Sequence, residues 1–126
     1  LEELRVGGYM EIKELLKMQK AFDRYLAAKQ IGQAGNEKLD EWNRSVLDKK
    51  LLALSVEVGE LANATRCFKY WSSKEDEGTE RILDEYADVL HFLLSVASSL
   101  EFTSEDIEHA YIKKHSENYR RQAEGY

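Results

Sequence analysis

The sequence predicts an all-α protein, an antiparallel four-helix-bundle-like domain. Three observations carry this expectation. No proline interrupts the 126 residues, strong helix formers dominate the composition, and apolar residues recur every three or four positions through most of the chain. A chain of this length forms one domain with one core of useful size.

Helix one is expected from Met10 to about Gln30, where Ile12, Leu15, Leu16, Phe22, Tyr25 and Leu26 return at helical spacing. Residues 1–9 contain Gly7-Gly8 and precede Met10; they read as an N-terminal arm or an expression remnant outside the domain, which spans 10–126. Gly32, Gly35 and Asn36 make the following turn. Helix two is expected from about Glu37 to Phe68, with a bend allowed, along a stripe of Leu39, Trp42, Val46, Leu47, Leu51, Leu54, Val58 and Leu61. The polar run Ser72 to Gly78 ends it. Thr79 is the expected N-cap of helix three, which runs to about Leu100 and is apolar almost all round. Thr103 or Ser104 caps helix four, with Glu105 and Asp106 at the positive end of its dipole, and this helix runs to about Gln122.

The formal net charge of −6 argues against a general nucleic-acid binder, since nonspecific affinity for a polyanion needs clustered lysine and arginine. No apolar run approaches the roughly 18 residues of a membrane span, and no signal-peptide layout is visible. Cys67 is the sole cysteine; an internal disulfide is impossible, a reducing cytoplasmic setting is the simplest reading, and the side chain is expected to be a small packing residue.

The chemistry-bearing pattern is acidic. Glu57 and Glu60 form an ExxE on helix two, and Glu85 and Asp88 form an ExxD on helix three. Residues three apart share a helix face, so each pair can aim its oxygens at one point. By itself the spacing also fits a solvated face dotted with ion pairs. Against that, no lysine or arginine lies between Lys50 and Arg66, or between Arg81 and Lys113, so neither pair is expected to find a partner on its own helix. Leu54, Val58 and Leu61 flank the first pair; Ile82, Tyr86, Val89, Leu90 and Phe92 flank the second. If the two helices face each other, four carboxylates converge, and either protonation or a divalent cation must offset their repulsion. Hard oxygen donors without paired cysteine or histidine favour Mg²⁺ or Mn²⁺ over Zn²⁺. A di-iron bundle would require two ExxH motifs, and there are none. His91, three residues after Asp88, reads as packing or as a neighbour of the ligands rather than a ligand.

Two cationic clusters complete the pattern. Lys113 to Arg121 (KKHSENYRR) suits the negative end of helix four, while Arg66 and Lys69 lie among Phe68, Tyr70 and Trp71, a mixture able to pair phosphates and stack on a base. A carboxylate metal site with nearby cations suggests phosphoryl chemistry. No Walker-type glycine loop supports a kinase or an ATPase.

VEVGELANATRCFKYWS, EYADVLHFLLS and KKHSENYRRQAEGY, in this order, resemble the dimeric all-α dUTPases, a branch of the all-α NTP pyrophosphatase superfamily that includes MazG-like proteins. The resemblance covers most of the chain from Ile12 onward. ExxE with ExxD marks the superfamily; FKYWS and NxxRQxxGY mark the narrower family. The resemblance implies a homodimer that hydrolyses dUTP to dUMP and pyrophosphate. It implies Mg²⁺ ligation by Glu57, Glu60, Glu85 and Asp88, with Glu57 also orienting or deprotonating the attacking water. It further implies that Lys69, Lys114, Asn118, Arg121 and Tyr126 hold phosphates or close the site, and that Gln19 in LLKMQKAFD, Asp23, Phe68 and Trp71 belong to the uracil-recognising region. Asp23 stands where some members carry an amide, and His115 where many carry asparagine. The competing expectations are a MazG-like housekeeping pyrophosphohydrolase acting on other nucleotides, and a non-enzymatic helical dimerisation module built on the stripe from Leu39 to Leu61.

Overall fold

The computed structural model describes residues 10–125, so the expected arm at 1–9 and Tyr126 lie outside the described residues. The fold is all-helical, with five helices where four were expected: α1 (Ile12–Ile31), α2 (Asn36–Ser45), α3 (Leu47–Thr65), α4 (Thr79–Ser99) and α5 (Ser104–Ala123). No described helix is long and apolar enough to cross a membrane.

The extra helix arises because the predicted second helix is cut at Val46, whose backbone leaves helical geometry (φ −105°, ψ 19°). Hydrogen bonds explain the position of the cut. Ser99 Oγ on α4 donates to the backbone carbonyl of Asn43 (2.9 Å), and Ser45 Oγ donates back to the carbonyl of Trp42 (2.6 Å). Both compete for carbonyls that would otherwise continue the ladder. Apolar periodicity carries no trace of such competition, so the stripe runs through the break.

Helix termini follow local chemistry. The Glu11 backbone N–H donates to Glu14 Oε2 at the start of α1, and Gly32, at φ 88°, ends it. Gly78, not Thr79, is the N-cap of α4: its φ is 95°, a left-handed region that favours glycine, and its N–H donates to Asp76 Oδ1 (2.8 Å). Thr103 caps α5 as expected, accepting from the Asp106 N–H while Asp106 Oδ2 accepts from the Thr103 N–H. That bonding holds the Asp106 carboxyl below its ordinary range.

α3 and α4 pack along their lengths, α1 packs on α4 and on α2, and α5 packs on α1 alone. The buried apolar set among the described residues is Ala27, Leu39, Ala64, Leu94, Val96 and Ala97. Much of the apolar stripe stays uncovered. Phe22 and Tyr25 on α1, Leu51 and Val58 on α3, and Leu83, Tyr86 and Leu93 on α4 are all exposed. Cys67, expected to pack, is exposed as well. The layers are joined by polar contacts too. Arg24 on α1 grips Asp40 on α2 through two bonds of 2.8 Å, and these hold the Asp40 carboxyl below the usual carboxylate range.

Candidate active site

Because α3 and α4 lie face to face, the ExxE and ExxD segments meet. Glu57, Glu85 and Asp88 each offer a carboxylate oxygen within 4.8 Å of the others. Glu85 is buried, Glu57 half-buried and Asp88 exposed. Glu60 is exposed and lies outside this trio, yet its charge is felt at Glu57. The Glu57 carboxyl is pushed above the ordinary glutamate range, first by desolvation and then by the charges of Asp88, Glu85 and Glu60. One expectation fails here: Glu85 does have a partner on its own helix, since Arg81, one turn earlier, pairs with its Oε1. Arg81 stands at the edge of the cation-free stretch, and i,i+4 spacing puts it within reach. A trio of hard oxygen donors with no sulfur or nitrogen fits Mg²⁺ or Mn²⁺.

Asp88 also lines a cavity of about 700 Å³ between α1, α2, α3 and α4, together with Gln19, Asp23, Trp42, Lys50 and His91. Its polar wall is one connected network. Gln19 Nε2 donates to Asp23 Oδ1 (3.0 Å), and Gln19 Oε1 lies 2.8 Å from His91 Nδ1. Asp23 Oδ2 accepts from Ser95 Oγ (2.9 Å) and faces Lys50 Nζ at 3.6 Å. Lys50 donates to Ser99 Oγ (2.7 Å), the same hydroxyl that bonds the Asn43 carbonyl. Asn43 Nδ2 donates to the carbonyl of Asp23 (3.0 Å) and so closes the loop. Burial pushes the Lys50 ammonium below the usual lysine range, and the Asp23 charge opposes that push. No buried side-chain nitrogen or oxygen among the described residues lacks a partner.

The other candidates sit elsewhere. Phe68, Lys69 and Trp71 occupy the α3–α4 connection, held by the left-handed Arg66 (φ 58°), whose Nη2 bonds Ser72 Oγ (3.1 Å). Arg66 therefore ties the loop. Phe68 and Trp71 are exposed, meet edge to face at 6.2 Å, and do not line the cavity that holds Gln19 and Asp23. Lys114, Asn118 and Arg121 lie on α5, which touches neither α3 nor α4, so the structure does not bring them to the carboxylates. Lys114 and Arg121 instead pair with Glu117 on their own helix. Sequence reading passed over Lys50, Asn43, Ser95 and Ser99. Lys50 offered the only available signal, a basic residue within an otherwise apolar stripe.

A helical domain that gathers carboxylates between two long helices, beside a polar-walled cavity of about 700 Å³, defines an all-α class of protein equipped for acid-assisted chemistry on a small polar ligand. A family model described as dUTPase matches residues 11–101 and 95–126. The chain belongs to the dUTPase family. It is accordingly an enzyme of the dUTP diphosphatase type, acting on a small nucleotide substrate. Comparison with curated proteins and with solved structures gives no match.

Proposed function

We propose that the protein hydrolyses dUTP to dUMP and pyrophosphate with Mg²⁺ as cofactor and Mn²⁺ as a substitute. The observation that carries this reading is the shared position of Asp88: it is one of three convergent carboxylates and also part of the cavity wall. Triphosphate held at the acids thus leaves the base at the cavity. Glu57, Glu60, Glu85 and Asp88 are the proposed cation ligands. When bound, the cation supplies the positive charge that lets a triphosphate approach four acids. Glu57, half-buried beside the other acids, orients the attacking water and accepts its proton. Water adds across the bridge between the α- and β-phosphates, and pyrophosphate leaves.

Gln19 and Asp23 belong to the wall of the proposed base site, Asp23 by holding the Gln19 amide rather than by meeting the base. Phe68, Lys69 and Trp71 approach from the α3–α4 connection. Lys114, Asn118, Arg121 and Tyr126 are the proposed phosphate-holding residues, as their motif implies. The protein is proposed to be a homodimer, because Leu83, Leu93, Leu52 and Val56 stand exposed on the paired helices α3 and α4. These side chains are already partly covered, so burying the rest of each gains about 1 kcal/mol. A cytoplasmic location fits the exposed thiol of Cys67.

The test is turnover of dUTP, dCTP and dTTP by purified protein with Mg²⁺. Preference for dUTP supports the reading; no hydrolysis of dUTP overturns it. Comparable efficiency on all three would favour a MazG-like housekeeping role, an alternative motivated by Asp23, whose two oxygens are already engaged by Gln19 and Ser95.

A further inference from the structure

The buried part of the cavity wall contains an ion pair that the reaction does not consume. Lys50 is 8 % exposed and Asp23 4 %, as enclosed as Glu85 and far more so than the exposed Asp88 and Glu60. Burying two charges is costly, and an apolar pair of similar volume is often as stable or more stable, so packing gives no reason for them. Their geometry does.

We propose that Asp23 and Lys50 are positioning residues for base recognition, fixing the orientation of the Gln19 amide and, through it, the tautomer of His91. The reasoning is one of donors and acceptors. Lys50 Nζ stands 3.6 Å from Asp23 Oδ2 as its ion-pair partner, on the side away from the oxygen that Gln19 meets. A carboxylate only accepts, so the Gln19 amide must turn its nitrogen toward Asp23 Oδ1. The amide oxygen then faces His91 Nδ1, and because that oxygen only accepts, Nδ1 carries the proton. In its neutral form the exposed His91 ring then carries its lone pair on Nε2, which has no hydrogen bond among the described residues. His91 lines the cavity. A lone pair at that position welcomes the N3–H of a uracil-type imide and repels cytosine, whose N3 is itself an acceptor. Ser95 Oγ, donating to the other Asp23 oxygen, keeps the carboxylate from rotating away from Gln19.

This rests on the reading that the base occupies the cavity, but its first consequence does not need nucleotide. The experiment is ¹⁵N imidazole NMR of the full chain without nucleotide, with His91 assigned by its loss in His91→Gln, followed by kcat/KM for dUTP and dCTP. The wild type is expected to show His91 protonated at Nδ1. Asp23→Asn, whose amide can also donate, is expected to free Gln19 to flip, to move His91 toward the Nε2–H form, and to lower the dUTP-over-dCTP preference by roughly ten-fold or more. Should Asp23→Asn fail to fold because Lys50 is left unpaired, the double variant Asp23→Asn with Lys50→Met removes both charges and carries the same expectation. A purely structural pair would change stability and leave the tautomer alone. A folded variant whose His91 tautomer and base preference both match the wild type overturns the proposal, as does a shifted tautomer with unchanged preference. If the wild type hydrolyses no dUTP, the functional reading fails separately, and the tautomer measurement still decides the relay.

Discussion

Arg81 reaches one turn along α4 to Glu85 Oε1, so the most buried acid of the cluster shares its charge with a half-exposed guanidinium. A divalent cation at Glu57, Glu85 and Asp88 must compete with that pairing. Arg81→Gln is expected to tighten Mn²⁺ binding by roughly two- to five-fold, the free-energy range of an exposed ion pair. Calorimetric titration measures it; unchanged or weaker binding would show that Arg81 does not restrain Glu85.

Glu57 should make the metal-free protein less stable as the pH rises. Its folded pKa lies above the ordinary glutamate value, so between the two values the folded state holds more protons than the unfolded state, and stability falls with rising pH. The penalty is absent below the ordinary value and complete above the raised one. Glu57→Gln is therefore expected to raise the metal-free Tm at neutral pH and to leave it unchanged in acid. Equal Tm differences at both pH values would count against this.

The Arg24–Asp40 fork works in the opposite direction. The folded Asp40 pKa is lowered, chiefly by its hydrogen bonds to Arg24, so its contribution is present above the ordinary aspartate value and is lost as the pH falls through the folded one. Arg24→Ala is expected to cost about 1–2 kcal/mol at neutral pH and progressively less in acid, as read from urea denaturation. A cost that persists at the lowest pH would point to lost packing of the arginine stem.

Gly78→Ala is expected to cost about 1 kcal/mol, since φ is 95° there while a new Cβ would meet nothing within 4 Å. Thermal unfolding of the variant checks it. No loss would mean that the α3–α4 connection relaxes freely.

Much of this was legible in the residues. The ExxE and ExxD spacings and the apolar stripes were enough to foresee that the two acidic segments meet, although Glu60 stays outside the trio and Arg81 pairs with Glu85. Helix boundaries failed where side chains bond backbone at a distance: Ser99 takes the Asn43 carbonyl from 56 residues away, and no local pattern reveals that. The buried network around Asp23 was hidden for the same reason, being built from α1, α2, α3 and α4 together. The apolar stripes were over-read as core, because periodicity records which face is apolar and not whether anything covers it. Leu51 and Val58 belong to the expected stripe and remain exposed.

In the proposed reaction a divalent cation held by the α3–α4 carboxylates drives dUTP hydrolysis. Pyrophosphate release from dUTP, followed while chelator-stripped protein is titrated with Mg²⁺, tests it most directly, with Glu57→Gln measured beside the wild type. No release is expected before Mg²⁺ is added, followed by saturable activation of the wild type and a variant slower by roughly 100- to 10,000-fold. Release without metal, or a Glu57→Gln variant as fast as the wild type, would contradict it.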